Sequence, residues 1–419
     1  MSHNYQQHHD DDEEDAAPKR RRLDEQGGVL TTYDSGAGTT RNGIRTSTLP
    51  APTLQLTGHS GSVYAVDYSP NGDTLLSTSF DMKCLLWDSR TRSSPNDDDD
   101  DEEDYVGVRG YTGDGDETGN YTNFNVLEGH KNAVLDCCWL GTTNTNATSD
   151  QVVTCGADKT CMLWDVLTGQ RIRKFSAQDS GIVNACCAYR SPNTAEGQLF
   201  ASVSDDGVAR LWDIRTKHVP VVELYDDKSR SNATGPSYPL LAVATASDSG
   251  TIFTAGIDNG IHAWEIKHGA KDTSRGSKSG RRLYSMMGHT DSITCLAMNT
   301  DNTHLLSVSM DHTLQSWDVR PFVTDAKGGA SKHRHDKTFV GFKHNQFSGM
   351  LKCAWSSDGN MVTCGSNDRN VHIWDTYSTQ ELYVLPGHKG CVNAVAFHPR
   401  ENIVVSGSSD KSIFVGELS

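Results

Sequence analysis

In the stretch SVSMDHTLQSWDVRPF, residues 307–322, an acid (Asp311) stands six residues before a Trp-Asp pair (Trp317, Asp318), and Arg320, Pro321 and Phe322 follow. A carboxyl group beside an indole can be a catalytic acid or base whose pKa an aromatic wall perturbs. The same pairing can equally be one copy of a repeated structural device. The two readings separate on whether the arrangement occurs once or many times, so internal repeats come first.

It occurs many times. A Trp followed by an acid recurs as Trp87-Asp88, Trp164-Asp165, Trp212-Asp213, Trp264-Glu265, Trp317-Asp318 and Trp374-Asp375. Six residues before each Trp stands Asp81, Asp158, Asp206, Asp258, Asp311 or Asp368, and four before each Asp stands Ser77, Thr154, Ser202, Thr254, Ser307 or Cys364. A seventh copy has Ser406 and Asp410 in register, with Gly416-Glu417 in place of Trp-acid. Four copies open with Gly-His, at His59, His130, His289 and His388, and three of these place the His 22 residues before the Asp. Seven Asp in one register are seven staples rather than seven active sites.

The elements around each Asp follow from local chemistry. TLLSTSFDMKCLLWD alternates small or apolar residues with polar ones around a turn, the pattern of two short strands. Asp suits that turn because its carboxylate accepts from nearby backbone N–H groups. The predicted network is His59–Ser77–Asp81–Trp87, His130–Thr154–Asp158–Trp164 and His289–Ser307–Asp311–Trp317, with His388–Ser406–Asp410 lacking the indole. Such a network stabilises only when every buried member is satisfied. Blades without Gly-His, or with Cys364 at the hydroxyl position, are expected to have weaker networks.

These spacings resemble the WD40 family, whose repeats of about 40–45 residues each form a four-stranded blade. The resemblance implies an all-β, seven-bladed propeller over residues 53–419; the preceding tail, 1–52, is polar, Gly-rich and without periodicity and carries acidic and basic clusters, which predicts disorder. It also implies ring closure by strand exchange, with TLQLTGH (53–59) supplying the outer strand of blade 7.

Composition narrows the function. The chain carries 54 acids and 38 basic residues, a formal charge of −16. Two runs, DDDEED (10–15) and DDDDDEED (97–104), hold fourteen of the acids, and the remaining forty nearly match the basic residues. A near-neutral ring argues against broad phosphate-backbone binding, which needs clustered cations. The eleven Cys lie in apolar stretches with no CxxC pair, which favours reduced core thiols over zinc or disulfides. No metal, cofactor or catalytic residue is predicted. The absence of a signal peptide or long apolar run predicts a soluble intracellular protein without membrane contact.

Within the tail, PKRRR presents Lys19, Arg20, Arg21 and Arg22 as a candidate nuclear import signal, against the simpler reading of a solvated charge run. Insertions are expected at 89–123 (acidic, blade 1), 215–235, 267–281 and 321–337 between third and fourth strands, and at 141–150 and 190–198 between first and second strands. Because strands alternate in direction, all of these emerge on one face, which leaves the other as the docking candidate. On that face the residue before each turn Asp is large and apolar three times, at Phe80, Ile257 and Met310. Arg320 and Phe322 on the opposite face are the alternative.

MDHTLQSWDVRPF, GFKHNQFSGMLKCAWSSDG, NDRNVHIWDT, GIDNGIHAWEI and the ending LPGHKGCVNAVAFHPRENIVVSGSSDKSIFVGEL resemble one family more closely, the 40K WD40 subunits of the U5 small nuclear ribonucleoprotein. That resemblance implies a non-catalytic scaffold, monomeric as a ring, acting in pre-mRNA splicing in the nucleus. It implies docking of the large Prp8-like U5 protein within the U5 snRNP and tri-snRNP, and indirect association with U5 snRNA. A different class remains open: a substrate receptor of a cullin ubiquitin ligase, through Trp-Asp-x-Arg at Trp87–Arg90, Trp212–Arg215 and Trp317–Arg320. The simpler account of those arginines is local pairing at the strand end.

Overall fold

The computed structural model describes residues 47, 49, 52–89, 121–140, 151–177, 181–189, 198–216, 219–225, 238–247, 249–266, 280–321, 334–345 and 349–418. They form 28 strands in seven four-stranded antiparallel sheets, and no helix. Blades 1 to 6 are each one continuous run, over residues 63–128, 134–175, 183–224, 240–287, 293–339 and 353–385. Blade 7 takes three strands from 392–417 and its outer strand from Thr53–Leu56. There Thr53 pairs with Gly416 and Leu56 with Ile413, so the ring is closed by the two ends of the propeller sequence.

The strands form where small and apolar residues alternate on a pleat buried on both faces by neighbouring blades. In blade 1 the second strand, Thr74–Ser79, is buried at five of six positions, including the hydroxyls of Ser77 and Thr78. Each seam between blades is an apolar cluster. Leu76, Leu86 and Cys84 of blade 1, for example, pack with Val134, Trp139, Met162 and Trp164 of blade 2. Each fully buried Leu or Val contributes about 1.5–3 kcal/mol by leaving water. The innermost strands of six blades carry a bulge at their second residue. A bulge leaves one residue unpaired and re-aims its side chain. The freed Asn184, Thr294 and Asn393 bond to carbonyls of the next blade, at Leu240, Leu351 and Val63. The two Trp outside the repeated Trp-acid pair bond the other way, Trp139 to the Asp67 carbonyl and Trp355 to the Ala297 carbonyl of the preceding blades.

The ring has two chemically different faces. The first-to-second and third-to-fourth connections emerge on one, the loop face. The second-to-third turns and the blade-to-blade links emerge on the other, the turn face. One expected insertion is misplaced. A short strand, Val222–Leu224, lies inside 215–235 and forms the outer edge of blade 3. The connection therefore splits before and after this strand, and with the long link between Phe339 of blade 5 and Cys353 of blade 6 the turn face has more than one long blade-to-blade link. The tail cluster Lys19–Arg22 and most of the acidic insertion lie outside the described residues.

Candidate functional site

The Asp that opened the question is a staple in the structure. Asp311 Oδ2 accepts from His289 Nδ1 (2.9 Å) and the Thr290 amide (3.0 Å), and its Oδ1 accepts from the Thr313 amide (2.9 Å) and hydroxyl (2.6 Å). His289 Nε2 meets Ser307 Oγ at 2.7 Å, and Trp317 Nε1 donates to the same Oγ at 2.8 Å. The order Asp–His–Ser has the connectivity of a nucleophilic triad. Ser307 is fully buried and already engaged by the indole, however, so no substrate reaches it.

The chain of contacts recurs. His59 bridges Asp81 and Ser77 (2.9 Å each), with Trp87 on Ser77 (3.0 Å). His130 bridges Asp158 (3.0 Å) and Thr154 (2.8 Å), with Trp164 on Thr154 (2.8 Å). His388 bridges Asp410 (3.1 Å) and Ser406 (2.9 Å). Burial alone would push these carboxyls up. The His ring and backbone amides outweigh it, holding Asp81 and Asp158 down to about 2, and Asp311 and Asp410 well below the carboxylate range. In blade 7 the missing indole leaves a cavity of about 20 Å³ beside Ser406, His388 and Gly416, and Phe414 stacks edge-on against His388 at 4.6 Å.

The blades without the usual His were expected to have weaker networks; each pairs its turn Asp from the third strand instead, but His262 turns to Ser285 rather than Thr254, and Trp374 donates to the Val340 carbonyl where Cys364 replaces the hydroxyl. Arg210 donates to Asp206, His262 meets Asp258 (2.6 Å) and His372 meets Asp368 (3.1 Å), always four residues after the Asp. The corresponding residues in the other blades are Leu85, Met162, Gln315 and Phe414. A basic residue at that position, in the very blades that lack Gly-His, was a readable signal. His372 also meets Glu381 at 2.6 Å; burial opposes its charge, but the two carboxylates win and raise its pKa.

The residue after each turn Asp adopts a left-handed backbone in every blade. Met82, Lys159, Asn259, His312, Arg369 and Lys411 have φ between 61° and 75°, and Gly207 has φ 74°. Only glycine enters this region without strain; for other residues it costs about 1 kcal/mol or more. The stapled turn holds them there.

Of the candidate docking residues, Phe80 (58% exposed) and Ile257 (41%) stand out from the turn face, and Met310 is half-buried. Ile257 and Met310 belong to neighbouring blades 4 and 5, whereas Phe80 lies across the ring on blade 1. Tyr238, Met287 and Val340 are also exposed on the turn face of blades 4 and 5, and Met287 packs against Gly260 directly behind the blade 4 turn. On the loop face Arg320 is spent on its own repeat, pairing with Asp318, and Arg215 pairs likewise with Asp213 (2.7 Å). Phe322 and Arg90 lie outside the described residues.

A feature with no local pattern closes the centre. Lys352 of blade 6 reaches Asp136 of blade 2 at 3.1 Å, and because those blades are not neighbours the pair crosses the ring axis. Asp67 lies nearby; burial first and the Asp136 charge second push its carboxyl up to about 7. Among the described residues no group of His, Cys, Asp or Glu could hold a metal ion, and all eleven Cys are free thiols.

Comparison with known proteins matches six stretches to a family model, with residues 214–279, which include most of blade 4, outside them, and about nine-tenths of the chain to whole relatives. The family model described as "WD domain, G-beta repeat" matches residues 50–88, 122–165, 169–213, 280–318, 338–375 and 379–415. The chain is 34% identical to the U5 small nuclear ribonucleoprotein 40 kDa protein of Dictyostelium discoideum over 375 residues, 89% of this chain and 86% of that one. It is 34% identical to the pre-mRNA-splicing factor cwf17 of Schizosaccharomyces pombe over 377 residues, 90% of each. The human U5 40 kDa protein is 36% identical over 375 residues, 89% of this chain and 86% of that one.

Proposed function

The chain belongs to the WD-repeat family, among the U5 small nuclear ribonucleoprotein 40 kDa proteins, and from that premise we propose that it is a non-catalytic scaffold of the U5 particle acting in pre-mRNA splicing in the nucleus. The observation that carries this is likeness to whole relatives over about nine-tenths of the chain rather than in isolated repeats. The hydrogen-bonded Asp, His and Ser groups support a scaffold, since they are consumed in holding blades together. Docking of the large Prp8-like protein is assigned to the apolar surface of blades 4 and 5, around Ile257 and Met310. Apolar anchors at the centre of an interface carry most of its energy. Tyr238, Met287 and Val340 extend that surface toward the rim.

Affinity purification from nuclear extract tests the reading. U5 RNA and very large splicing proteins are expected in the eluate; a cullin adaptor without them would overturn it. The ubiquitin-ligase alternative is disfavoured by Arg215 and Arg320, whose guanidiniums pair with their own Asp. Ile257→Glu with Met310→Glu should leave melting unchanged and remove the large protein from the eluate. Retention by a folded double variant would move the docking site. Replacing Lys19–Arg22 with Ala should reduce nuclear accumulation, and unaltered localisation would remove the import role of that cluster.

A further inference from the structure

The near-neutral charge of the ring hides a segregation that only the fold reveals. Blades 6, 7 and 2 each place two exposed cations on the turn face: Lys343 and Arg369, Lys389 and Lys411, Lys131 and Lys159. The Lys131 and Lys389 amides donate to the turn carboxylates of Asp158 (3.0 Å) and Asp410 (2.7 Å). The Lys343 carbonyl accepts from the Asn367 amide (2.8 Å), which sets Lys343 beside the blade 6 turn. Apart from Lys159, these six form no ion pair among the described residues. The acids of the same turns, Asp158, Asp368 and Asp410, face inward onto His130, His372 and His388. By contrast, the described turns and links of blades 3 to 5 carry no Lys or Arg and expose Asp291.

Blade 1 sits between the two arms of this arc. It carries Lys83, paired with Glu128 at 2.7 Å, and the exposed ring of Phe80, whose centroid lies 6.5 Å from that of Tyr64 in an edge-on arrangement. Tyr64 is the residue freed by the blade 1 bulge, and its ring lies beside Gly349.

Two observations set this apart from scattered surface charge. The tip position after the turn Asp is cationic in blades 2, 6 and 7 (Lys159, Arg369 and Lys411), whereas the other blades hold Met82, Gly207, Asn259 and His312 there. Blade 1, which lies between blades 7 and 2, presents the exposed aromatic ring of Phe80. A row of cations with an intervening aromatic platform is how single strands are held without sequence readout: phosphates meet the cations and a base stacks on the ring.

We propose that blades 6, 7, 1 and 2 form a binding surface for single-stranded nucleic acid on the turn face. The strand lies across the channel mouth rather than through it, because Lys352 and Asp136 close the axis. An acidic peptide would satisfy the cations but has no use for Phe80. The surface is separate from the protein-docking patch on blades 4 and 5, and neither reading depends on the other.

The test is fluorescence anisotropy of the full chain with a labelled 15-nucleotide oligouridylate, titrated across salt concentrations. Lys131→Glu with Lys389→Glu, neither at a strained position, should weaken binding more than tenfold. The pair should also reduce the salt slope by about 1.4, at about 0.7 per phosphate contact. Phe80→Ala should weaken binding about tenfold with the salt slope unchanged, the loss of one stacked base. Lys19–Arg22 replaced by Ala is the control for binding through the tail and should change little. The proposal is overturned if the full chain does not bind the oligonucleotide at low salt. It is overturned equally if the ring variants bind like wild type. Loss with the charge variants, no effect of Phe80→Ala and equal competition by polyglutamate would assign the surface to an acidic protein segment instead.

Discussion

Replacing Asp311 with Ala should destabilise blade 5 by about 2–4 kcal/mol, and the structure shows where that figure comes from. The carboxylate accepts four hydrogen bonds. The Thr290 amide is exposed and regains water, so its loss is small. The His289 side chain is fully buried and cannot. Losing a charge-assisted bond and leaving its donor orphaned costs about 1.5–3 kcal/mol. Release of the Thr313 amide and hydroxyl, which close the turn, adds about 1 kcal/mol. One contact limits the total: Thr313 Oγ1 lies 3.2 Å from His289 Nδ1 and can accept the stranded proton. Denaturant unfolding measures the change. Hydrogen exchange of peptides spanning 289–318 localises it, because proteins open locally in contiguous cooperative units. Unfolding and exchange identical to wild type would refute the staple and return Asp311 to the list of groups in need of a function.

Asp67→Asn should stabilise the ring. With a folded pKa raised to about 7, the acid form folds more readily than the carboxylate. The wild type therefore loses stability as pH climbs from about 4 to about 7, and the Asn variant should gain over it across that window, by up to about 4 kcal/mol at the plateau. A pH-independent difference would contradict this. The turn acids act in the opposite sense. Their depressed folded pKa contributes stability that is present above about pH 4 and lost as pH falls through about 2, so acid melts should steepen there and flatten in Asp81→Asn with Asp158→Asn. Deleting residues 92–120 should leave folding intact, since closing a shorter connection is entropically mild. The deletion must spare Tyr121, whose hydroxyl meets that of buried Tyr68 at 2.8 Å, and an insoluble product would show that the segment contributes to the core.

The staples were legible in the sequence because a tight turn constrains both spacing and residue type. Asp must sit in the turn, the hydroxyl must face it from the preceding strand, and the indole must arrive six residues later. The exchanged strand at 53–56 was legible because one surplus strand and one incomplete blade imply each other. The outer strand of blade 3 was missed because three residues, Val222–Leu224, are too few to show alternation. The replacement of the link histidine by Arg210, His262 and His372 was visible in register, but it is recognisable only once the side chain at that position is known to point at the turn. The Lys352–Asp136 pair had no signal at all. It joins inner strands of blades that are remote in sequence and meets only when the ring closes.

The same staple that folds a blade also frees its tip. The turn Asp and its partners fix the backbone of the following residue in the left-handed region, whether that residue is Met82, Lys159, Asn259, His312, Arg369 or Lys411. Its side chain varies in what it adds: His312 Nδ1 accepts from the His344 amide (3.0 Å) and Asn259 Nδ2 donates to the Thr290 carbonyl (3.2 Å), whereas Met82 is exposed. A propeller can change a tip from apolar to cationic without renegotiating the core beneath it. On nearly identical scaffolds the tip is a cation over blades 6, 7 and 2 and Asn259 or His312 over blades 4 and 5, where the apolar Ile257 and Met310 stand one residue before the turn Asp. It follows that the two halves should be separable by mutation. Exchanging Lys159 and Lys411 for Asn, the residue that blade 4 holds in the same geometry at position 259, should change melting by less than about 1 kcal/mol, because Asn is among the residues that tolerate this backbone best. The exchange should weaken oligouridylate binding and leave the large protein partner bound. If the exchange instead unfolds blades 2 and 7, the tips are part of the fold, and the independence of surface from scaffold is wrong.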